Sequence, residues 1–148
     1  MVLADALAFT EDKFKPEKMM DVATLTGAVT VALGYHISGV MGNNQKLLDE
    51  VMDAAKDARE RMWILPLDND FVETTKGEIS DTKNATDGVR AGTIMGAAFL
   101  QQFVEKTKWV HIDIGGTGWV ERPTPTIKFG GTAAMVRTMW EMAKRNSR

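Results

Sequence analysis

Two glycine-rich segments carry the residues best suited to contact a small ligand. Thr24-Leu25-Thr26-Gly27 follows one apolar, β-branched run, and Gly115-Gly116-Thr117-Gly118 follows another. Glycine lets a ligand approach the backbone closely, and free N–H and C=O groups at such a corner can hold a peptide. Alternatively, the glycines only permit tight turns, and neither segment alone decides between the two interpretations.

A histidine and a carboxylate lie on one face of the run before the second segment. His111 and Asp113 could provide a metal ligand or a general base. A metal site needs three or four converging ligands, and this pair does not supply them. We therefore favour a hydrogen-bonded structural role for His111. We assign no metal to Asp5, Asp21, Asp81 or Asp113.

The segment Ile112-Asp113-Ile114-Gly115-Gly116-Thr117-Gly118 also resembles the first phosphate-binding hairpin of sugar kinases of the hexokinase and actin superfamily. In those kinases, glycine N–H groups contact the ATP phosphates and the aspartate helps to hold magnesium. Their motif opens the chain, and a second domain follows it. Here about thirty residues follow the motif, which is too few for a domain. We therefore prefer a non-kinase interpretation.

The composition is that of an ordinary globular domain. The 148 residues are 44% hydrophobic and 26% charged, with a net charge of −2 and no cysteine. This charge provides no electrostatic footprint for nucleic acid or an anionic membrane. No apolar run approaches the roughly 20 residues of a spanning helix. The lack of cysteine excludes a disulfide framework, a thiol nucleophile and a Cys-ligated metal site.

Alternating strand and helix patterns predict an α/β layered fold. The apolar character of Lys18–Leu25 indicates a strand buried on both faces, as in a mostly parallel sheet. The polar segment Asp68–Arg90 is long for a connection, which predicts a functional or interface loop. The other predicted helices are Val2–Phe9, Thr26–Leu33, Leu47–Met62 with an Asn43 or Asn44 cap, Ala91–Phe103 and a last helix capped by Thr132. Strands are predicted at Ile37–Met41 and Trp109–Ile114, and Trp63–Leu67 is predicted to be extended. In the strand Trp109–Ile114, alternation places Val110, Ile112 and Ile114 on one face and Trp109, His111 and Asp113 on the other.

Several segments, taken in order, resemble the leucyl aminopeptidases, which are dinuclear metallo-exopeptidases of the cytosol. They cover nearly the whole chain, although Ser80 replaces the alanine of one family segment. The matching segments are Val2–Leu7, Asp21–Ala28, Ala32–Gly34, Trp63 with Leu65-Pro66-Leu67, Asp81 with Asn84, Gly92–Leu100 and Trp109–Trp119. The resemblance implies α/β/α layers around a mixed, largely parallel sheet. It also implies that residues 1–148 form a single partial domain, the C-terminal portion of a catalytic domain.

The resemblance also implies a set of substrate-binding residues. Thr24, Gly27, Gly115 and Gly118 would line the pocket for the substrate's N-terminal side chain. Leu25 would use its backbone to hold the substrate or a nearby bound anion. The family usually has alanine at position 115 and varies at position 118. Glycine at both positions would widen the pocket.

The catalytic chemistry of the family is expected to come from residues outside this sequence. In the family, two divalent metal ions, zinc or manganese, activate a bridging water, a lysine polarises the carbonyl, and an arginine-bound bicarbonate assists proton transfer. Those groups precede the helix that matches Val2–Leu7. Their motif, Asn-Thr-Asp-Ala-Glu-Gly-Arg, does not occur here. We therefore expect this chain alone to contain no catalytic residue, metal ligand or bound cofactor.

Two hypotheses follow for function. In the first, the chain is the C-terminal part of a cytoplasmic aminopeptidase that acts on peptides, supplies the substrate pocket and contacts within a homo-oligomer, usually a hexamer, and is inactive alone. In the second, it is a non-catalytic interaction module derived from the same fold. Neither hypothesis involves nucleic acid or a membrane.

Overall fold

The computed structural model describes residues 1–77, 79–84, 90–123, 125 and 127–147 of the chain. Within these ranges the helices are α1 (Val2–Phe14), α2 (Ala28–Leu33), α3 (Gln45–Ala58), α4 (Asn69–Thr74), α5 (Gly92–Gln101) and α6 (Val136–Asn146). The strands are β1 (Lys18–Ala23), β2 (Ser38–Gly42), β3 (Met62–Ile64), β4 (Lys108–Asp113), β5 (Trp119–Val120) and β6 (Gly130–Gly131).

The sheet is mixed, and β4 lies in its interior. Four strands follow the order β1-β4-β2-β3. β4 is parallel to β1, with Ala23 opposite Asp113, and antiparallel to β2. β2 and β3 are parallel. Most of the pairing is therefore parallel, which confirms the predicted sheet, while β5 and β6 form a separate antiparallel pair.

Helices cover both faces of this sheet. On one face, Val110 and Ile112 of β4 pack with apolar residues of α3 and α6. On the other face, Trp109 packs with residues of α1 and α5. Side chains alternate between the faces of a strand, so β4 contributes residues to two hydrophobic cores. The α/β/α layering expected from the sequence is confirmed.

Several predicted helix ends were wrong. α1 continues to Phe14, past the predicted end at Phe9, and stops where Lys15 takes a left-handed backbone conformation. α3 ends at Ala58, because Arg59 adopts φ 54° and the chain then turns into β3. The predicted cap at Asn44 is confirmed, since its side chain accepts a hydrogen bond from the N–H of Leu47 at 3.0 Å.

The last helix begins differently from the sequence prediction. Thr132 does not cap it, since α6 starts at Val136. The carboxylate of Glu60 accepts from the N–H groups of Met135 and Thr138 at 3.0 and 2.8 Å. A carboxylate at a helix N-terminus also suits the helix dipole. The cap therefore comes from a residue 75 positions away.

The polar segment predicted as a loop contains a short helix. α4 is capped by the side chain of Asp68, which accepts from the N–H of Asp70 at 3.1 Å. Residues 78 and 85–89 of that segment lie outside the described residues, as does Arg148. In the described ranges, no helix has the length and apolar character needed to span a membrane. The assignment of residues 1–148 to a single partial domain stays a prediction.

Candidate functional site

The two glycine-rich segments lie side by side at one edge of the sheet. We call Thr24–Gly27 the first corner and Gly115–Gly118 the second corner. They follow β1 and β4, which are parallel neighbours whose carboxyl ends coincide, with Ala23 opposite Asp113. The N–H of Ile114 donates to the carbonyl oxygen of Ala23 at 2.9 Å and continues the pairing towards the corners. Ligands of open α/β sheets bind outside such carboxyl ends.

One buried carboxylate joins the two corners. Asp113 Oδ1 accepts from the N–H groups of Leu25, Thr26 and Gly115 at 3.2, 3.5 and 3.0 Å. Its Oδ2 accepts from the hydroxyl of Thr26 at 2.6 Å. Asp113 is fully buried. The sequence placed Asp113 beside the second corner, but it contained no signal for the contact with the first corner.

Thr26 connects the first corner to two helices. Its Oγ1 lies 3.2 Å from Oγ1 of the buried Thr93 in α5. The same oxygen accepts from the N–H of Val29 in α2 at 3.3 Å. Thr26 was not among the predicted substrate-binding residues, and its side chain is directed towards the protein interior rather than towards a ligand.

The glycines of the second corner allow a close approach to neighbouring backbone. A Cβ built at Gly115 would lie 2.4 Å from the carbonyl oxygen of Thr26. A Cβ at Gly116 would lie 2.3 Å from the carbonyl oxygen of Gly34. Contacts this short require the backbone to shift. Glycine at 115 therefore permits the contact between corners, and the wider pocket expected from it stays a prediction.

The five predicted substrate-binding residues lie together at this edge. Thr24 and Gly27 are exposed, while Leu25, Gly115 and Gly118 are partly buried. A Cβ at Gly118 would lie 3.2 Å from Cγ2 of Thr24, so the two corners contact each other here as well. The structure therefore brings these residues to one place, and their role in binding stays a prediction.

Further hydrogen bonds hold the second corner against the rest of the fold. The hydroxyl of Thr117 lies 2.7 Å from that of Ser38 in β2. Thr132 Oγ1 donates to the carbonyl oxygen of Thr117 at 2.7 Å, and Thr132 N–H donates to that of Gly118 at 3.2 Å. Thr132, expected to cap a helix, thus anchors this corner instead.

His111 lies inside the protein and not at the corners. Its Nδ1 is 2.6 Å from Asp21 Oδ1, and the indole N–H of Trp109 donates to Asp21 Oδ2 at 2.7 Å. The imidazole is fully buried. Its Nε2 has no hydrogen-bond partner among the described residues. These contacts support the structural role favoured from the sequence.

The described residues do not fit a metal site. Nowhere in this part of the chain do three histidine, aspartate or glutamate side chains converge to hold a metal ion. Asp21 and Asp113 use both of their oxygens in hydrogen bonds within the fold. No catalytic step through a metal is therefore assigned to the residues of this chain.

An open groove of about 480 Å³ lies elsewhere, between α3 and β3. It contains no residue of either corner. Its lining includes Met52, Lys56, Arg59, Arg61 and Trp63.

The sequence is similar to those of known proteins. Residues 1–140 match the family described as "Cytosol aminopeptidase family, catalytic domain". A "Probable cytosol aminopeptidase" from a Geobacter species is 46% identical over 98% of this chain, and one from Geobacter sulfurreducens is 45% identical over 100% of it. The chain spans 29% of the length of each of these two relatives.

A solved structure agrees with this assignment. A mutant of tomato leucine aminopeptidase superposes with a TM-score of 0.88 and 38% sequence identity. It covers 97% of this chain, which in turn corresponds to 27% of that protein. The resemblance to the aminopeptidases, first noted in short segments of the sequence, therefore holds for the sequence as a whole and for the fold. The chain belongs to the cytosol aminopeptidase family, within its catalytic domain.

Proposed function

We propose that this chain supplies the substrate-recognition part of a metal-dependent aminopeptidase that releases N-terminal amino acids from peptides. The observation that carries the proposal is the junction of the two corners through Asp113 at the carboxyl ends of β1 and β4. Thr24, Gly27, Gly115 and Gly118 line the space for the N-terminal side chain. The family to which the chain belongs supports the reaction class.

The backbone of Leu25 is the proposed polar contact. Its N–H donates to Asp113. Its carbonyl oxygen accepts no hydrogen bond from the described part of the chain. A partly buried carbonyl without a partner favours binding of a donor. We assign to this oxygen an N–H group of the peptide substrate.

The remaining chemistry is assigned to residues outside this chain. Two divalent ions, zinc or manganese, would supply an activated water and stabilise negative charge on the substrate, with bicarbonate as a possible aid to proton transfer. The family's metal-binding motif is absent from this sequence. The chain's own residues bind and orient the peptide. We also propose a homo-oligomer, a hexamer as in the family, and a cytoplasmic location.

The coding sequence before Met1 provides the first test. An in-frame Asn-Thr-Asp-Ala-Glu-Gly-Arg motif there is expected. The complete polypeptide should then hydrolyse leucine p-nitroanilide with Mn²⁺ or Zn²⁺, whereas the chain of residues 1–148 should not exceed a no-protein control. If the complete polypeptide contains the motif, binds metal and remains inactive on several aminoacyl p-nitroanilides, the proposal is wrong. Turnover by residues 1–148 alone would contradict the assignment of catalysis to residues outside the chain.

The alternative function is a non-catalytic interaction module. It is favoured by large exposed apolar side chains such as Trp140 and Phe129. A true start codon at Met1 and binding of this chain to itself or to a full-length homologue would support the module. The metal-binding motif upstream would instead support the enzyme.

A further inference from the structure

Asp113 lies in an environment that is unusual for a carboxylate. It is fully buried, and in the described ranges no lysine, arginine or histidine forms an ion pair with it. A buried carboxylate is costly unless hydrogen bonds satisfy it. Here three N–H groups and one hydroxyl do so, and they come from both corners. The carboxylate therefore fixes the orientation of these backbone N–H groups, which apolar packing alone would not do.

Because the peptide unit is planar, the direction of each N–H group also fixes the direction of the carbonyl group before it. In a trans peptide, the N–H of one residue points opposite to the C=O of the residue before it. Because the N–H groups of Leu25 and Thr26 point at Asp113, the carbonyls of Thr24 and Leu25 point away from it. In the described part of the chain nothing donates to either carbonyl.

The same argument applies to the second corner. The N–H of Gly115 points at Asp113, so the carbonyl of Ile114 points away from it. That carbonyl accepts from the N–H groups of Thr117 and Gly118 at 3.1 and 2.8 Å, which closes the second corner. One side chain thus sets the backbone of both corners and their separation.

We infer that Asp113 is the positioning residue of the substrate-binding edge: it aims the Thr24 and Leu25 carbonyls at the peptide and fixes the space for the N-terminal side chain without touching substrate. This inference rests on the proposed function. Misplacing a group that positions the substrate by about 1 Å lowers the rate by up to about 100-fold. Loss of the Asp113 hydrogen bonds is therefore expected to have a measurable effect on catalysis.

The test compares two buried carboxylates in the complete polypeptide. Asp113→Asn replaces one accepting oxygen by an NH₂ group, which faces either the backbone N–H groups or the Thr26 hydroxyl, whose proton can then no longer be donated to residue 113. Glu60→Gln is the matched control, because Glu60 also accepts from two backbone N–H groups and a threonine hydroxyl, but at the start of α6. The measurements are kcat and KM for leucyl, alanyl and phenylalanyl p-nitroanilides, together with the thermal midpoint.

We expect Asp113→Asn to lower kcat/KM for the leucyl substrate by about 10- to 100-fold, mainly through KM, and to change the ratio of leucyl to alanyl rates. Glu60→Gln should lower the thermal midpoint and leave that ratio unchanged. If both variants lose stability alike and keep the wild-type ratio, Asp113 is only structural and the inference is wrong. An inactive wild-type polypeptide would overturn the proposed function instead.

A second pair of variants guards against misfolding. Thr26→Val removes the hydroxyl that donates to Asp113 Oδ2, together with its contacts to Thr93 and to the N–H of Val29, and Thr26→Ser keeps all three. The serine variant should restore the wild-type selectivity that the valine variant loses. In the complete polypeptide, amide hydrogen exchange at Leu25, Thr26 and Gly115 should accelerate in Asp113→Asn and not in Glu60→Gln. Unchanged exchange at all three amides would show that Asp113 does not hold these N–H groups in place, whether or not the polypeptide is an enzyme.

Discussion

Nδ1 of His111 lies 2.6 Å from Oδ1 of Asp21, and the two residues occupy paired positions of β4 and β1. The other oxygen of Asp21 accepts from the indole N–H of Trp109. Both aromatic side chains are fully buried, with ring centroids 6.2 Å apart. One carboxylate therefore links β1 to β4 inside the apolar layer that faces α1 and α5, just before the strands reach the two corners.

The first prediction concerns this link. Asp21→Ala leaves the imidazole and the indole without a partner, so we expect a loss of about 2–5 kcal/mol in the free energy of unfolding. Urea unfolding followed by tryptophan fluorescence measures it. Asp53→Ala, at an exposed position of α3, is the control and should change little. Equal midpoints for Asp21→Ala and the control would contradict the prediction.

The second prediction is a pH dependence at Glu11. Burial raises the pKa of Glu11, but hydrogen bonds from the backbone N–H groups of Glu105, Lys106 and Thr107 outweigh it and lower the pKa from 4.5 to about 2. These N–H groups lie 2.7, 2.9 and 2.6 Å from the carboxylate. Since the folded pKa is lowered, its stabilisation is present above the unfolded value of 4.5 and is lost as the pH falls towards 2.

Glu11→Gln should therefore be less stable than wild type above pH 4.5, and the difference should shrink as the pH falls to about 2. Urea titrations across this pH range measure the effect. Glu17→Gln provides the control, because Glu17 forms only an exposed ion pair with Lys108. A difference between Glu11→Gln and wild type that does not vary with pH would show that ionisation of Glu11 is not involved.

A third prediction tests the close approach at the second corner. Gly116→Ala places a methyl group against the carbonyl oxygen of Gly34, so we expect a loss of about 1–3 kcal/mol in unfolding free energy. Gly131→Ala is the matched control, because a Cβ there meets nothing within 4 Å. Thermal unfolding of both variants compares them. A Gly116→Ala variant as stable as Gly131→Ala would mean that the corner has more room than described.

The fourth prediction is that residues 1–148 associate when they are produced alone. Phe14, Val31 and Trp140 are 68%, 90% and 64% exposed. β1 and β3 are the edges of the sheet, and unpaired edges favour association. Sedimentation velocity at several concentrations should detect oligomers or aggregates. A concentration-independent monomer with one sharp unfolding transition would rule this out.

Sequence patterns succeeded where the responsible contacts are local. Asn44 caps α3 through the N–H of Leu47, three residues along the chain. The alternation of Trp109, Val110 and Ile112 correctly assigned the two faces of β4, because side chains of a strand alternate with period two. The ordered segments identified the family, because each retains its residue types over a short stretch. These features depend only on residues within about one helical turn or a few strand positions.

The tertiary structure decided the contacts between distant segments. Glu11 binds the turn before β4 from 94 positions away, Glu60 caps α6 in place of Thr132, and Asp113 reaches Leu25 across 88 positions. The sequence supplied these carboxylates and the two glycine corners, but not their partners. Which donor a buried carboxylate meets depends on which strands become neighbours. Only the parallel pairing of β1 with β4 brought the two corners to a single edge.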